Sequence, residues 1–224
     1  MTNTITAAEI LERFKSGQTD FTNLGQCEVE GRLTLGRIAV RSVVNLGSLI
    51  FSKEVYLSQA RFHCNFECGR AQFTEIFYCG TAIFKGEFRC DSAKFKGNFD
   101  CGSATFEKWF HCNSASTNRF FCSDADFMGA FFCDNATFGG AFKCDRATFN
   151  EFYCQKATFA HVHSFYCGQA KFHTVVCGEA TFNEVHADDN PAVAWVIQQC
   201  IQSGVQYKIK HAPPWMQKST APHG

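Results

Sequence analysis

From Cys27 onward, apolar residues come in pairs separated by a single variable position. The pairs run Cys27/Val29, Leu33/Leu35, Ile38/Val40, Val44/Leu46, Leu49/Phe51, Val55/Leu57, Ala60/Phe62, Phe66/Cys68 and Ala71/Phe73, and they start alternately six and five residues apart. Each pair predicts a short strand with two side chains facing inward and one outward between them. From Ala60 the pattern hardens into a tandem unit, A-x-F-x-x-x-F-x-C-x-x. The unit at Ala71 is followed by others at Ala82, Ala93, Ala104, Ala115, Ala125, Ala136, Ala147, Ala157, Ala170 and Ala180. A short fixed period of this kind predicts a solenoid. Small-large pairs (Ala, Phe) alternate with large-small pairs (Phe, Cys), which fills a narrow interior without voids. Cysteine serves there as a small apolar residue. About seven coils, at roughly 4.8 Å per rung, give a rod on the order of 34 Å long.

The flanks follow another period. Residues 5–17 predict a helix with Thr6 and Glu9 as a capping box, Ile5 and Ile10 at hydrophobic-staple positions, and Gly17 as its stop. After Val185 the pattern breaks, and Asn190-Pro191 predicts a second helix start, with Gly204 ending the helix. The tail from Tyr207 carries Trp215, expected to be disordered or packed on a neighbour. The expected organisation is therefore a capping helix over residues 1–20, a solenoid over 21–187, and a capping helix with a tail over 188–224.

The steps Ala147-Thr148-Phe149 and Phe142-Lys143-Cys144 resemble those of the pentapeptide-repeat proteins. The resemblance is strong over residues 60–182 and weaker over 21–57. It implies an all-β solenoid, a right-handed quadrilateral parallel β-helix, here with 21–22 residues per coil and short capping helices. This chain departs from the family pattern by inserting a sixth residue at many corners.

Charge narrows the function. Lys and Arg number 21, as do Asp and Glu, so the formal net charge is zero. That argues against a nucleic-acid partner and against acidic DNA mimicry. Most of the 14 Cys sit at one repeat position, which points to packing. No signal-peptide pattern opens the chain, and no apolar run reaches the roughly 18 residues of a membrane span. These features predict a cytoplasmic, reducing setting with free thiols. The nucleotide-binding and hydrolase motifs G-x-G-x-x-G, G-x-x-x-x-G-K-[ST] and G-x-S-x-G are absent. The five/six stepping also departs from the strict six-residue steps of β-helical acyltransferases. No enzyme activity and no cofactor are expected.

Function is then sought on the outward positions. Stacked by rung, Ser116, Thr137, Thr158 and Thr181 form a hydroxyl ladder, favoured by the β-propensity of Thr. A second column carries Phe132, Tyr153 and Val176 above His111, Arg89 and Glu67. Three large apolar residues on adjacent rungs make a candidate interface for a protein partner or a homodimer. The opposite face shows Phe121, Lys143 and Tyr166. The rhythm fails between Phe159 and Phe165, where His161 and His163 fall. His163 and His186 are expected at equivalent corners one coil apart, and together with His161 they form a candidate metal site, to which Asp188 can add a ligand. The expected function is a non-catalytic protein-binding or scaffold module. The alternative is a self-assembling, bactofilin-like structural protein. A third reading, implied by the resemblance alone, is DNA mimicry directed at a topoisomerase.

Overall fold

The computed structural model describes residues 3–160, 165–182, 185–186 and 206–207. Among them the chain forms an all-β parallel solenoid of about eight turns with little helix. Its strands fall into a 16-stranded and an 11-stranded sheet. The earliest strands are β1 (Asn3–Thr6), β2 (Cys27–Glu30), β3 (Leu33–Thr34), β4 (Ala39–Val40) and β5 (Val44–Asn45). Most later strands are also two residues long, because each apolar pair allows one straight step before the chain must turn.

The register follows the repeat. Gln72–Phe73 lies between Ile50–Phe51 and Lys94–Phe95, and Phe88–Arg89 lies between Phe66–Glu67 and Phe110–His111. Like therefore stacks on like. Phe77, Phe99 and Phe120 stack with ring centroids 5.2 and 4.8 Å apart and planes within 10°. Phe95 meets Phe99 edge-on at 5.0 Å and 84°, and Phe110 meets it at 5.9 Å and 84°. Stacked contacts along a column and edge-to-face contacts across it are the two arrangements that the ring quadrupole favours. Thr117 interrupts one phenylalanine column, and its buried hydroxyl donates to the Arg119 carbonyl at 2.9 Å.

Two kinds of corner join the steps. At the C-x-x-A corner the Ala N–H donates to the Cys carbonyl, as from Ala71 to Cys68 at 3.1 Å. The residue before that Ala takes a left-handed conformation, and 14 residues other than glycine do so between Arg37 and Glu179. At the F-x-x-x-F corner the backbones of neighbouring rungs come close. A Cβ at Gly86, Gly97 or Gly129 would run into the backbone of Cys64, Glu75 or Lys108. Where a six-residue corner faces a five-residue one, the ladder shifts register, as between Phe95 and Asn98.

The N-terminal helix, α1, spans Ala7–Lys15, shorter than the expected 5–17. The capping box forms: the Glu9 N–H donates to Thr6 Oγ1 at 3.2 Å, and the Thr6 N–H to Glu9 Oε2 at 2.8 Å. Those bonds hold the Glu9 carboxyl below its usual range. Ile5 belongs instead to β1, which runs parallel to β2. The extended backbone of Thr6 (φ −83°, ψ 151°) suits a strand end and a helix N-cap alike, so the two elements abut. At the other end, Gln206–Tyr207 pairs in parallel with Thr181–Phe182 where a tail was expected to begin. The helix expected after Asn190 and the tail residue Trp215 lie outside the described residues.

Candidate binding face

Outward residues of one column stand in register through the pairings Glu67–Arg89–His111–Phe132–Tyr153–Val176. The expected neighbours Phe132, Tyr153 and Val176 are therefore adjacent. Each is half-buried, since in-register stacking covers part of every side chain. The His111 imidazole lies flat on Phe132 (4.9 Å, 15°), and Phe132 lies on Tyr153 (5.0 Å, 18°). The Tyr153 hydroxyl donates to Glu151 Oε2 at 2.8 Å, and this bond, with some desolvation, raises the phenol above its usual range.

Two residues that the outward-column reading passed over enlarge the patch. Trp109 is 50% exposed, 6.2 Å from Phe132 and 5.9 Å from His111. Met128 is 55% exposed on the adjoining rung of the same corner. The signal was present: F-E-K-W-F and F-M-G-A-F place large apolar residues in corners, where F-K-G-E-F and F-K-G-N-F have Lys, Gly, Glu and Asn. At the far edge of the patch, His111 Nε2 is buried without a hydrogen-bond partner. Burial lowers the His111 pKa, outweighing the opposing pull of Asp91. Below it Arg89 pairs with Glu87 at 2.6 Å. The face thus grades from a charged end into an apolar one.

On another face Lys143 Nζ sits 5.8 Å from the Phe121 ring and 5.1 Å from the Tyr166 ring, a cation held between two aromatic faces. Ser116, Thr137, Thr158 and Thr181 stand in register as a hydroxyl ladder. No protein-family model, curated protein or solved structure matches this chain.

The candidate metal residues His161 and His163 lie outside the described residues, as does Asp188. The backbone register sets His186 opposite Tyr166, in mid-strand, and not at the corner position equivalent to His163. The reason is that Phe165 pairs with Val185, which sets the next residue of each strand, Tyr166 and His186, side by side. Among the described residues no group of three or more metal-ligating side chains gathers.

The cysteine columns form as the repeat predicts, and the Cys133 and Cys144 thiols donate to the Tyr153 and Tyr166 carbonyls at 3.2 and 3.4 Å. Burial foremost, then the neighbouring thiols, pushes Cys90, Cys101, Cys133 and Cys144 well above the ordinary thiol range. Such thiols are poor nucleophiles. The expectation that the column cysteines all remain free thiols is corrected at Cys177, which is disulfide-bonded with its partner outside the described residues.

Proposed function

We propose that this chain is a non-catalytic pentapeptide-repeat-like β-helix that works as a protein-binding or scaffold module in the cytoplasm. Its coil is right-handed and four-sided. Four short steps, at Gln72, Phe77, Ile83 and Phe88, precede the return to the first column at Lys94, in support of that reading. The N-terminal helix α1 acts as a cap on the stack.

The observation that carries the proposal is the contiguous apolar band of Trp109, Met128, Phe132, Tyr153 and Val176 along one edge. A continuous patch of this kind marks a partner surface, and aromatic side chains dominate such interfaces energetically. The partner is a protein, which for this face includes a second copy in a homodimer. Sedimentation and partner capture, run on the parent and on Tyr153→Glu/Trp109→Ala, test the idea. Loss of the associated species in the variant is expected. A variant that associates as fully as its parent refutes the role of this face.

A further inference from the structure

The first turn of the solenoid is open on one side. In one column β1 lies under β2. In another, Asn45 of β5 bonds to Thr19 and Phe21. Helix α1 packs against β3. Among the described residues strand β4 pairs only with Arg61–Phe62 and ends its sheet. The Arg61 N–H donates to the Ile38 carbonyl at 2.7 Å, and the His63 N–H to the Val40 carbonyl at 2.8 Å. Along a strand paired on both sides, alternate residues direct their amide groups to opposite neighbours. The N–H and C=O of Ala39 and the N–H of Arg41 therefore face away from that pairing. Among the described residues no strand meets them. The equivalent donors one rung up, Arg61 and His63, are thus satisfied by β4, and those two rungs up are satisfied as well: Ile83 N–H bonds Ala60 at 2.9 Å, and Lys85 N–H bonds Phe62 at 2.8 Å.

This open edge is one wall of a cleft of about 580 Å³, and α1 is the other. Leu11, Phe14, Ile38 and Val40 make it mostly apolar. Leu11 and Ile38 are only half-buried and Ala39 is exposed, so the cleft is accessible. Lys15 at its rim is held by Glu12 at 2.6 Å, whereas Arg41 makes no ion pair among the described residues. An apolar chain would fill such a cleft but supply nothing to the three backbone groups. A peptide in extended conformation supplies carbonyls and an amide at the strand repeat, and an open edge is a template for it.

We propose that this cleft binds an extended peptide segment of a partner protein, which adds as a strand beneath β4. An apolar-x-apolar pair of the peptide packs on Leu11, Phe14, Ile38 and Val40, and an acidic residue beside the pair reaches Arg41. The site is separate from the Trp109 to Val176 band and does not depend on it.

The test uses the full chain and the fluorescein-labelled peptide Asp-Val-Thr-Val-Asp. Saturable binding is expected. The fully N-methylated peptide should bind at least about tenfold more weakly, the effect of losing one or two net hydrogen bonds. Ala39→Pro, which deletes an edge donor, should weaken binding by a similar factor while leaving the circular dichroism spectrum unchanged. If that variant does not fold, hydrogen exchange at Ala39 and Arg41 in the parent decides, with slowing on peptide addition expected. Four results overturn the proposal: no saturable binding up to about 1 mM, equal binding of the methylated peptide, binding of dodecanoate alone, or unchanged exchange at both amides.

Discussion

Thr81 holds a left-handed backbone (φ 61°) at a C-x-x-A corner. A β-branched residue is the worst suited to that conformation. The clash of Cβ with the following carbonyl costs about 1–2 kcal/mol. Thr81→Gly relieves it, while the added freedom of glycine in the unfolded chain takes back about 0.5–1 kcal/mol. The short bond from Thr81 Oγ1 to the adjacent Gly80 carbonyl (2.6 Å) is lost as well, though water replaces it at this exposed site. The expected net gain is about 0.5–1 kcal/mol. It should appear as a higher urea midpoint at an unchanged slope. Arg146 shares the conformation (φ 58°) but makes a bidentate pair with Asp124 at 2.6 and 2.7 Å. Arg146→Gly should therefore gain less than Thr81→Gly. Because that pair is exposed, the difference between the two variants should shrink in 1 M salt, where the Debye length is about 3 Å. A lower midpoint for Thr81→Gly would refute the reasoning, since it would mean that the corner is not strained.

Other consequences are equally direct. Gly97→Ala drives a Cβ into the Glu75 backbone and should cost at least about 1–3 kcal/mol in thermal unfolding, whereas Gly178→Ala meets nothing within 4 Å and should be near neutral. Phe99→Ala removes a fully buried ring with two stacked neighbours and should cost about 3–5 kcal/mol, with Phe99→Leu clearly milder. The pKa of His111 is depressed on folding, so the unfolded chain binds more protons near and below its ordinary value of about 6.5. Stability should therefore fall as pH drops through that region, and His111→Phe should flatten the fall in urea midpoints measured between pH 8 and pH 5. Alkylation read by mass spectrometry should label Cys64, which is only partly buried, while Cys90, Cys101, Cys133 and Cys144 stay protected until denaturant is added.

The interior was legible in the sequence because it is periodic. Ala71/Phe73 and Phe77/Cys79 each state a step and its inward residues, and every one of those four side chains is fully buried. The same periodicity placed Phe132, Tyr153 and Val176 on adjacent rungs before any coordinates. Features off the period were harder to read. Asn3–Thr6 carries too short an alternation to announce a strand, and its pairing with β2 depends on a contact more than twenty residues away. Trp109 and Met128 lie in corners, which the stacking argument leaves unassigned. The open edge at β4 belongs to no residue at all. It arises because α1 covers β3 and leaves β4 bare, a consequence of where one helix lies.

The left-handed corners show how interior order dictates exterior chemistry. A residue with positive φ recurs at alternate corners, and glycine would cost least there, yet none of the 14 positions from Arg37 to Glu179 uses it. Their side chains instead meet across rungs: Arg37 Nε bonds Gln59 at 2.8 Å, Arg146 grips Asp124, and Lys156 lies 3.8 Å from Glu179. The strain at each corner is tolerated because the rungs above and below hold the backbone in place. In return the solenoid gains edges lined with polar and charged side chains, which keep its long rows of exposed residues from adhering to one another. The F-x-x-x-F corners differ: Trp109 and Met128 expose large apolar side chains there, as Val43 does at the corner before Val44. Exposed apolar side chains at such corners are a feature that packing does not require. The physical case for a partner at Trp109 and Met128 therefore rests on contrast with the left-handed corners, where polar and charged side chains meet across rungs.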